Sequence, residues 1–338
     1  MPDRSKRKSV TMDDIALMLG VSKNAVSLAL SGKPGVSDTL RRSVLETAHS
    51  LGYTRNEAPH DANSCIVALV PSYIRDDGSF YSDVFWAIEH ESRKQGITIV
   101  TVGVNSQAQR ELRLPAVPQG LSPAGYLAIG NLDSAYLQRI CDTGSRVVCV
   151  DIRSDLPLSS VSADNIHAGK RAAEYLLSKG HTRIGFAGPA YGAQSVYERW
   201  CGFRQALELR GMMPDENLCI LGSQTAFELL DSVQALKPYY DRLSRRPTAW
   251  FCAGDMIALS MCRLLQSEGL RIPEDVSVMG CDDLKVAELI HPPLTTIHID
   301  RKLMGKNAVR MLLDSSVTQP IHLMLECRLV ERESVKAR

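Results

Sequence analysis

Residues 11–53 read TMDDIALMLGVSKNAVSLALSGKPGVSDTLRRSVLETAHSLGY, and this stretch decides the character of the N-terminal part. Thr11 is placed as a helix N-cap, where a hydroxyl accepts from an otherwise unpaired first-turn amide. Asp14, three residues on, makes a variant capping box. Ile15, Ala16 and Leu19 recur at helical spacing. Gly20 then stops the helix, because glycine takes the left-handed conformation at no steric cost. Val21 packs under the turn, and Ser22 caps a second helix over about 23–30 with Ala25, Val26 and Ala29 facing inward. Gly32, Pro34 and Gly35 mark a loop. Ser37 caps a third helix with Leu40, Val44, Leu45, Ala48 and Leu51 on its apolar side, closed by Gly52. Two short helices across a glycine turn, followed by a supporting helix, make a helix-turn-helix.

In that arrangement the N-terminal half of the second helix enters the DNA major groove. Its polar positions are Lys23, Asn24 and Ser27. Lysine donates to guanine O6 and N7, and asparagine pairs bidentately with adenine. Thr11 and Ser22, at helix N-termini, are suited to phosphate. Lys33 in the loop and the basic arm Arg4, Lys6, Arg7 and Lys8 belong to the same DNA-contacting set. Charge divides accordingly: residues 1–56 carry net +4 and the remainder −3. The competing reading is a three-helix module with a solvated polar face.

From Cys65 the texture changes to alternating strand and helix. Short apolar runs, CIVALVPS (65–72), AGYLAIG (124–130), RIGFAGP (183–189) and VSVMGCDD (276–283) among them, alternate with segments of helical spacing such as 81–96, 167–180, 195–211, 256–269 and 301–315. The stretch 321–334 reads as one closing strand. Such units build parallel sheets with helices on both faces, and about 275 residues suit two lobes with a cleft between them. Ligands of these folds bind at the carboxyl ends of strands, where Ser72, Asp151, Asp164, Asn165, Asp255, Asp282 and Asp283 fall. Carboxylates with an arginine suit a polyhydroxyl ligand, while each Asp taken singly also fits a turn or helix cap.

Several function classes are disfavoured. No P-loop, nucleophile elbow, zincin motif or dinucleotide fingerprint is present, so an enzyme is not expected, nor a cofactor. The nine Cys show no metal spacing and read as reduced thiols, so no metal is expected. No apolar run spans a membrane and no secretory signal precedes the head, which points to the cytoplasm. A transporter's solute-binding protein would fit the body but not the head.

The head resembles that of the LacI/GalR family of repressors through Ala16, Gly20, Val21, Ser22, Val26, Ser27, Val36, Ser37, Leu51, Gly52, Tyr53 and Asn56, in family order. The segments GHTRIGFAGP, SVYERWCGFRQAL, the run from Ala249 to Asp283, HPPLTTI and RLVERES resemble its sensor core, so the likeness covers about residues 10–334. It implies a small all-α helix-turn-helix domain followed by an α/β two-lobed, periplasmic-binding-protein-like domain with parallel sheets. The divisions are 1–56 for the head, 57–64 for a linker and 65–338 for the sensor, with one lobe of about 65–163 and 301–326 and another of about 164–300 and 327–338. The resemblance further implies a homodimeric repressor on double-stranded, inverted-repeat operator DNA, controlled by a carbohydrate-like effector held by Ser72, Asp151, Arg199, Asp255 and Asp282.

This chain departs from the family in three places. Leu28 stands where an Arg often follows the recognition-helix Val-Ser. Pro59 and a shortened segment replace the hinge helix, so residues 54–64 read as a linker. Gly254-Asp255 replaces Asn-Asp at a strand end.

Overall fold

A computed structural model describes residues 10–30, 35–51, 63–74, 80–223 and 230–338. Lys33, the basic arm and residues 57–62 of the expected linker lie outside the described residues.

The head is three helices, α1 (Met12–Leu19), α2 (Lys23–Leu30) and α3 (Asp38–Ser50). The caps read from the sequence form. Thr11 Oγ1 accepts from Asp14 N at 3.3 Å, and Asp14 Oδ2 accepts from Thr11 N at 2.7 Å. Gly20 is left-handed at φ 63°, and Val21 N returns to the Ala16 carbonyl at 3.0 Å. Ser22 and Ser37 accept from Ala25 N and Leu40 N at 3.2 and 3.3 Å. Ile15, Ala16, Val26, Ala29, Val44 and Ala48 are the buried centre. Leu45 departs from expectation: it is 49% exposed, because the fully buried Val44 beside it takes the central position and the next residue turns about 100° away. Arg41 donates to the carbonyls of Leu28 and Ala29, answering the unpaired C-terminal end of α2.

The body runs β1 (Ser64–Pro71), a short 3-10 turn (Ser72–Ile74), α4 (Phe80–Lys94), β2 (Thr98–Val104), α5 (Ser106–Arg110), β3 (Ser122–Ile129), α6 (Ser134–Cys141), β4 (Val147–Val150), β5 (Ser159–Ala163) and α7 (Asn165–Ser178). It continues through β6 (Ile184–Ala187), α8 (Gln194–Glu208), α9 (Val233–Arg242), β7 (Ala249–Cys252), α10 (Asp255–Ser267), β8 (Ser277–Asp282) and α11 (Lys285–Leu289). It closes with β9 (Thr295–His298), α12 (Arg301–Leu313), β10 (His322–Leu325) and β11 (Arg328–Val330).

Two sheets result, ordered β10-β5-β4-β3-β1-β2 and β11-β9-β8-β7-β6. Every pairing is parallel except β11 against β9. In β1, Ile66 and Ala68 join one core with Val84 and Ile88 of α4 and Met304 and Ala308 of α12. Cys65, Val67 and Leu69 alternate onto the other face, against Tyr136, Leu137 and Ile140 of α6. The chain passes between the sheets after β5, after β9 and between β10 and β11.

The last crossing corrects the sequence reading of 321–334 as one strand. It is two strands in different sheets, turned at Glu326-Cys327, with Cys327 fully buried in the crossing. Residue alternation cannot see such a change of partner. α6 and α9 were also not legible. α6 has eight residues, as α1 does, but no side-chain hydrogen bond caps its start, and α9 carries Pro238 inside it.

α7 and α8 cross backbone to backbone. A Cβ on Gly169 would lie 1.9 Å from the Arg199 carbonyl oxygen, and one on Gly202 would lie 1.9 Å from that of Ile166. Gly202→Ala must force this crossing apart, and such overpacking costs about 1–3 kcal/mol. Its thermal midpoint is therefore expected to drop by several degrees. An unchanged midpoint would show that the helices do not meet there.

Candidate functional sites

The α7–α8 crossing places Arg199 at the carboxyl end of the second sheet. Its guanidinium is buried, at 5% exposure, so each donor needs an acceptor. Nε donates to Asn165 Oδ1 at 2.9 Å, Nη1 donates to the Ala253 carbonyl, and Nη2 lies 3.2 Å from Asp282 Oδ1. Asn165 opens α7, Ala253 follows β7, and Asp282 ends β8. Three strand-to-helix connections thus converge on one cation. Around it, Asn165 Nδ2 donates to Glu198 Oε2 at 3.2 Å, and Glu198 Oε1 pairs with Arg153 at 3.1 Å.

Asp151 approaches from the first sheet, just past β4. It is 5% exposed, and one carboxylate oxygen accepts from the Tyr81 hydroxyl at 2.8 Å. The other, Oδ1, is buried and has no hydrogen-bond partner. A bare buried acceptor is costly unless something else donates to it. Burial pushes the Asp151 carboxyl from 3.8 to about 6. The charges of Asp282 and Glu198 add to this, while the Tyr81 hydrogen bond and Arg199 oppose it.

The backbone is strained at the same places. Among the described residues, five non-glycine residues have positive φ, and three of them are Asp151 (72°), Asp282 (114°) and Asp283 (54°). Non-glycine residues held in this region cluster at ligand sites. Beside the cluster opens a cavity of about 460 Å³, lined by Asn131, Leu132, Ile152, Arg153, Gln194 and His322 among others. That volume lies within the usual range for small-molecule sites. Asp151, Arg199 and Asp282 are not in its lining; Asp151 precedes the lining residue Ile152, and Arg199 connects to the lining residue Arg153 through Asn165 and Glu198.

The other two residues that the resemblance implies as effector contacts, Asp255 and Ser72, are placed differently. Asp255 is fully buried at the first turn of α10, and both its oxygens are taken, by Thr296 Oγ1 at 2.6 Å and Leu284 N at 2.7 Å. Burial raises its pKa, with the Asp282 charge adding to the rise. A Cβ on neighbouring Gly254 would lie 3.3 Å from Asp282 Oδ2, so the glycine leaves the space beside that carboxylate open. Ser72 is exposed, and its hydroxyl donates to the Val104 carbonyl at 3.3 Å. Tyr81 was missed by sequence reasoning, since nothing in a helix's first turn announces a reach of 70 residues to Asp151.

In the head, Thr11, Ser22, Lys23 and Asn24 are exposed at the N-terminal ends of α1 and α2, while Ser27 and Leu28 are half-buried. Leu28 Cδ1 lies 3.3 Å from where a Cβ on Gly35 would stand, so this side chain packs toward the following loop. Lys23 pairs with Asp13 at 2.8 Å, both well exposed. Such a pair is worth little in water, so Lys23 can exchange Asp13 for another acceptor at small cost.

The Asp151 shift gives a signed prediction. The folded protein holds this proton more tightly than the unfolded chain, so the group's contribution is full below pH 3.8. That contribution is lost as pH rises to about 6 and stays lost above it. Asp151→Asn removes the titration. Its stability relative to the unsubstituted protein is expected to improve by up to roughly 3 kcal/mol between about pH 4 and pH 7, read by denaturant unfolding at both. A pH-independent difference would mean that Asp151 is not desolvated.

Comparison with known proteins agrees with both halves of this description. Residues 11–56 match the family model described as bacterial regulatory proteins, lacI family, and residues 173–335 match a periplasmic binding protein-like domain. The chain is 32% identical to the HTH-type transcriptional regulator CelR of Thermobifida fusca over 97% of this chain and 99% of that one. It is 30% identical to the HTH-type transcriptional repressor CytR of Escherichia coli K12 over 100% and 99%. Among solved structures, a CelR–cellobiose complex superposes with a TM-score of 0.70 at 28% identity, covering 96% of this chain and 99% of that one. With near-complete coverage by two regulators at these identities, the chain belongs to the LacI family of DNA-binding transcriptional regulators.

Proposed function

We propose that this regulator is a repressor whose operator affinity is set by an uncharged sugar bound beside Asp151, Arg199 and Asp282. The observation that carries the effector reading is the bare buried Oδ1 of Asp151. It stands within electrostatic reach of a guanidinium that already donates to Asn165 and Ala253 and is paired with Asp282. What the site lacks is a donor, and a sugar hydroxyl is one. A CelR–cellobiose complex, 28% identical to this chain, is among the solved structures it resembles, so a neutral disaccharide heads the ligand panel.

The proposed division of labour is a head of 1–56, a linker of 57–64 and a sensor of 65–338. Lys23, Asn24 and Ser27 read bases. Thr11, Ser22 and Lys33 hold phosphates, and Leu28 packs behind them in place of a polar contact. In the sensor, Asp151, Arg199 and Asp282 meet the ligand. Ser72 borders them, and Asp255 supports them from below through Thr296 and the amide of Leu284. A homodimer on an inverted repeat follows from pairing two-fold protein symmetry with a palindromic site. Binding to operator DNA places its action in the cytoplasm on this reading; no helix among the described residues is long and apolar enough to cross a membrane. The reading assigns the protein no catalytic step and no cofactor. The effector acts only through its different affinity for two lobe arrangements.

Two experiments test the two halves. Purified protein is expected to retard its own upstream DNA, with cellobiose or another panel sugar changing the midpoint. Arg199→Lys should raise the effective sugar concentration about tenfold or more while keeping operator affinity. Lysine is chosen because alanine would strand the Asp282 carboxylate in the interior. An unaltered sugar response in that variant would take Arg199 out of the site. Lys23→Ala with Asn24→Ala should lose about 1–3 kcal/mol of operator preference per base contact, against a smaller loss on random DNA. Equal losses on both would mean that these side chains touch only the backbone.

A further inference from the structure

Arg301 begins α12, directly after the connection that brings the chain from the second sheet back to the first. It is 8% exposed, and its guanidinium reaches both sheets' ligand-facing ends. Toward the second sheet, Nη1 donates to the Asp282 carbonyl and Nη2 donates to that of Asp283 at 3.2 Å. Toward the first, Nε donates to Asp83 Oδ2 at 3.0 Å, and Cζ lies 5.8 Å over the Phe80 ring. Phe80 and Asp83 belong to the first turn of α4. That turn also carries Tyr81, whose hydroxyl holds Asp151, and Phe80 and Tyr81 meet edge to face at 5.1 Å. α12 can lie this close to α4 because Gly305 has no Cβ, which would otherwise stand 2.5 Å from the Val84 carbonyl oxygen.

We propose that Arg301 is a positioning residue of the effector cleft, a side chain that ties the α4 turn holding Asp151 to the strained Asp282-Asp283 turn and so sets the spacing of Asp151 and Asp282. This rests on the cleft being the effector site, but the link itself is a property of the ligand-free chain. Asp282 pairs with Arg199 at 3.2 Å, and its neighbour Asp283 is held by His298 at 2.8 Å and Arg332 at 2.7 Å, whereas Asp151 is held by Tyr81 from the first sheet's side. Arg301 answers two main-chain carbonyls of residues with positive φ, a conformation that persists only where surroundings over-determine it. A planar fork with five donors does this while also reaching a carboxylate; an ammonium reaches one of the three partners at a time. The arrangement makes an event at α4 felt at Asp282, because Arg301 bonds to Asp83 on one side and to the carbonyls of Asp282 and Asp283 on the other.

The reporter is the amide of Leu284, which donates to Asp255 Oδ2 at 2.7 Å and depends on the 282–283 turn. Hydrogen–deuterium exchange is measured on the full-length, ligand-free protein, with β7 amides as the internal control. Arg301→Lys is expected to speed exchange at 282–284 about fivefold or more with β7 unchanged. Asp83→Asn, half-exposed and on the other sheet's side, should produce a similar increase. The double variant should be no faster than Arg301→Lys alone, and Asp83→Glu should restore slow exchange. If Asp83→Asn leaves 282–284 as slow as before, or if the two effects simply add, the link through Arg301 does not exist. Because no sugar enters the measurement, a failed sugar titration and a failed link are told apart.

Discussion

A guanidinium taken out of water has to be surrounded by acceptors, and the cleft of this protein is organised by that requirement at Arg199. Its partners come from the start of α7, the end of β7 and the end of β8, so the connection leaving the first sheet after β5 and two connections of the second sheet converge on one charge. They can do so only because α7 and α8 touch backbone to backbone at Gly169 and Gly202, which sets how deep Arg199 lies. Packing without side chains at one point thus creates a polar site at another.

The acids around that cation are not equivalent. Asp282 faces Arg199 and is compensated by it. Asp255 is sealed beneath the site with both oxygens occupied, so it serves as a structural acceptor linking α10 to β9 and to the turn after β8. Asp151 keeps one oxygen unanswered and carries a raised pKa. Three aspartates at three strand ends therefore have three different roles, decided by what each meets rather than by position in a motif.

The head obeys simpler physics. Its elements are short, and helices of eight residues are marginal alone, so side-chain caps and a small shared core carry them. Thr11 with Asp14, Ser22 and Ser37 answer first-turn amides, and Arg41 answers the far end of α2. The capping leaves Lys23 and Asn24 exposed at the N-terminal end of α2. Among the described residues Lys23 is held by a solvent-exposed pair with Asp13, a contact that competes weakly with a phosphate or a base.

Much of this was written locally. Capping residues, the glycine stop at Gly20 and 3.6-residue apolar spacing specify the head's helices, because each acts on neighbours within one turn. The alternating strand and helix runs likewise specify parallel sheets, and residues that follow strands mark the cleft's edge, Asp151 and Asp282 among them. Tertiary structure alone decided which of those residues meet. The split of 321–334 into two strands, the sealing of Asp255, the reach of Tyr81 to Asp151 and the span of Arg301 between Asp83 and Asp282 all join residues far apart in the chain. Such contacts depend on the angle at which helices cross and on where the chain passes between sheets. Those quantities are set by the summed packing of the two cores, which no local pattern encodes.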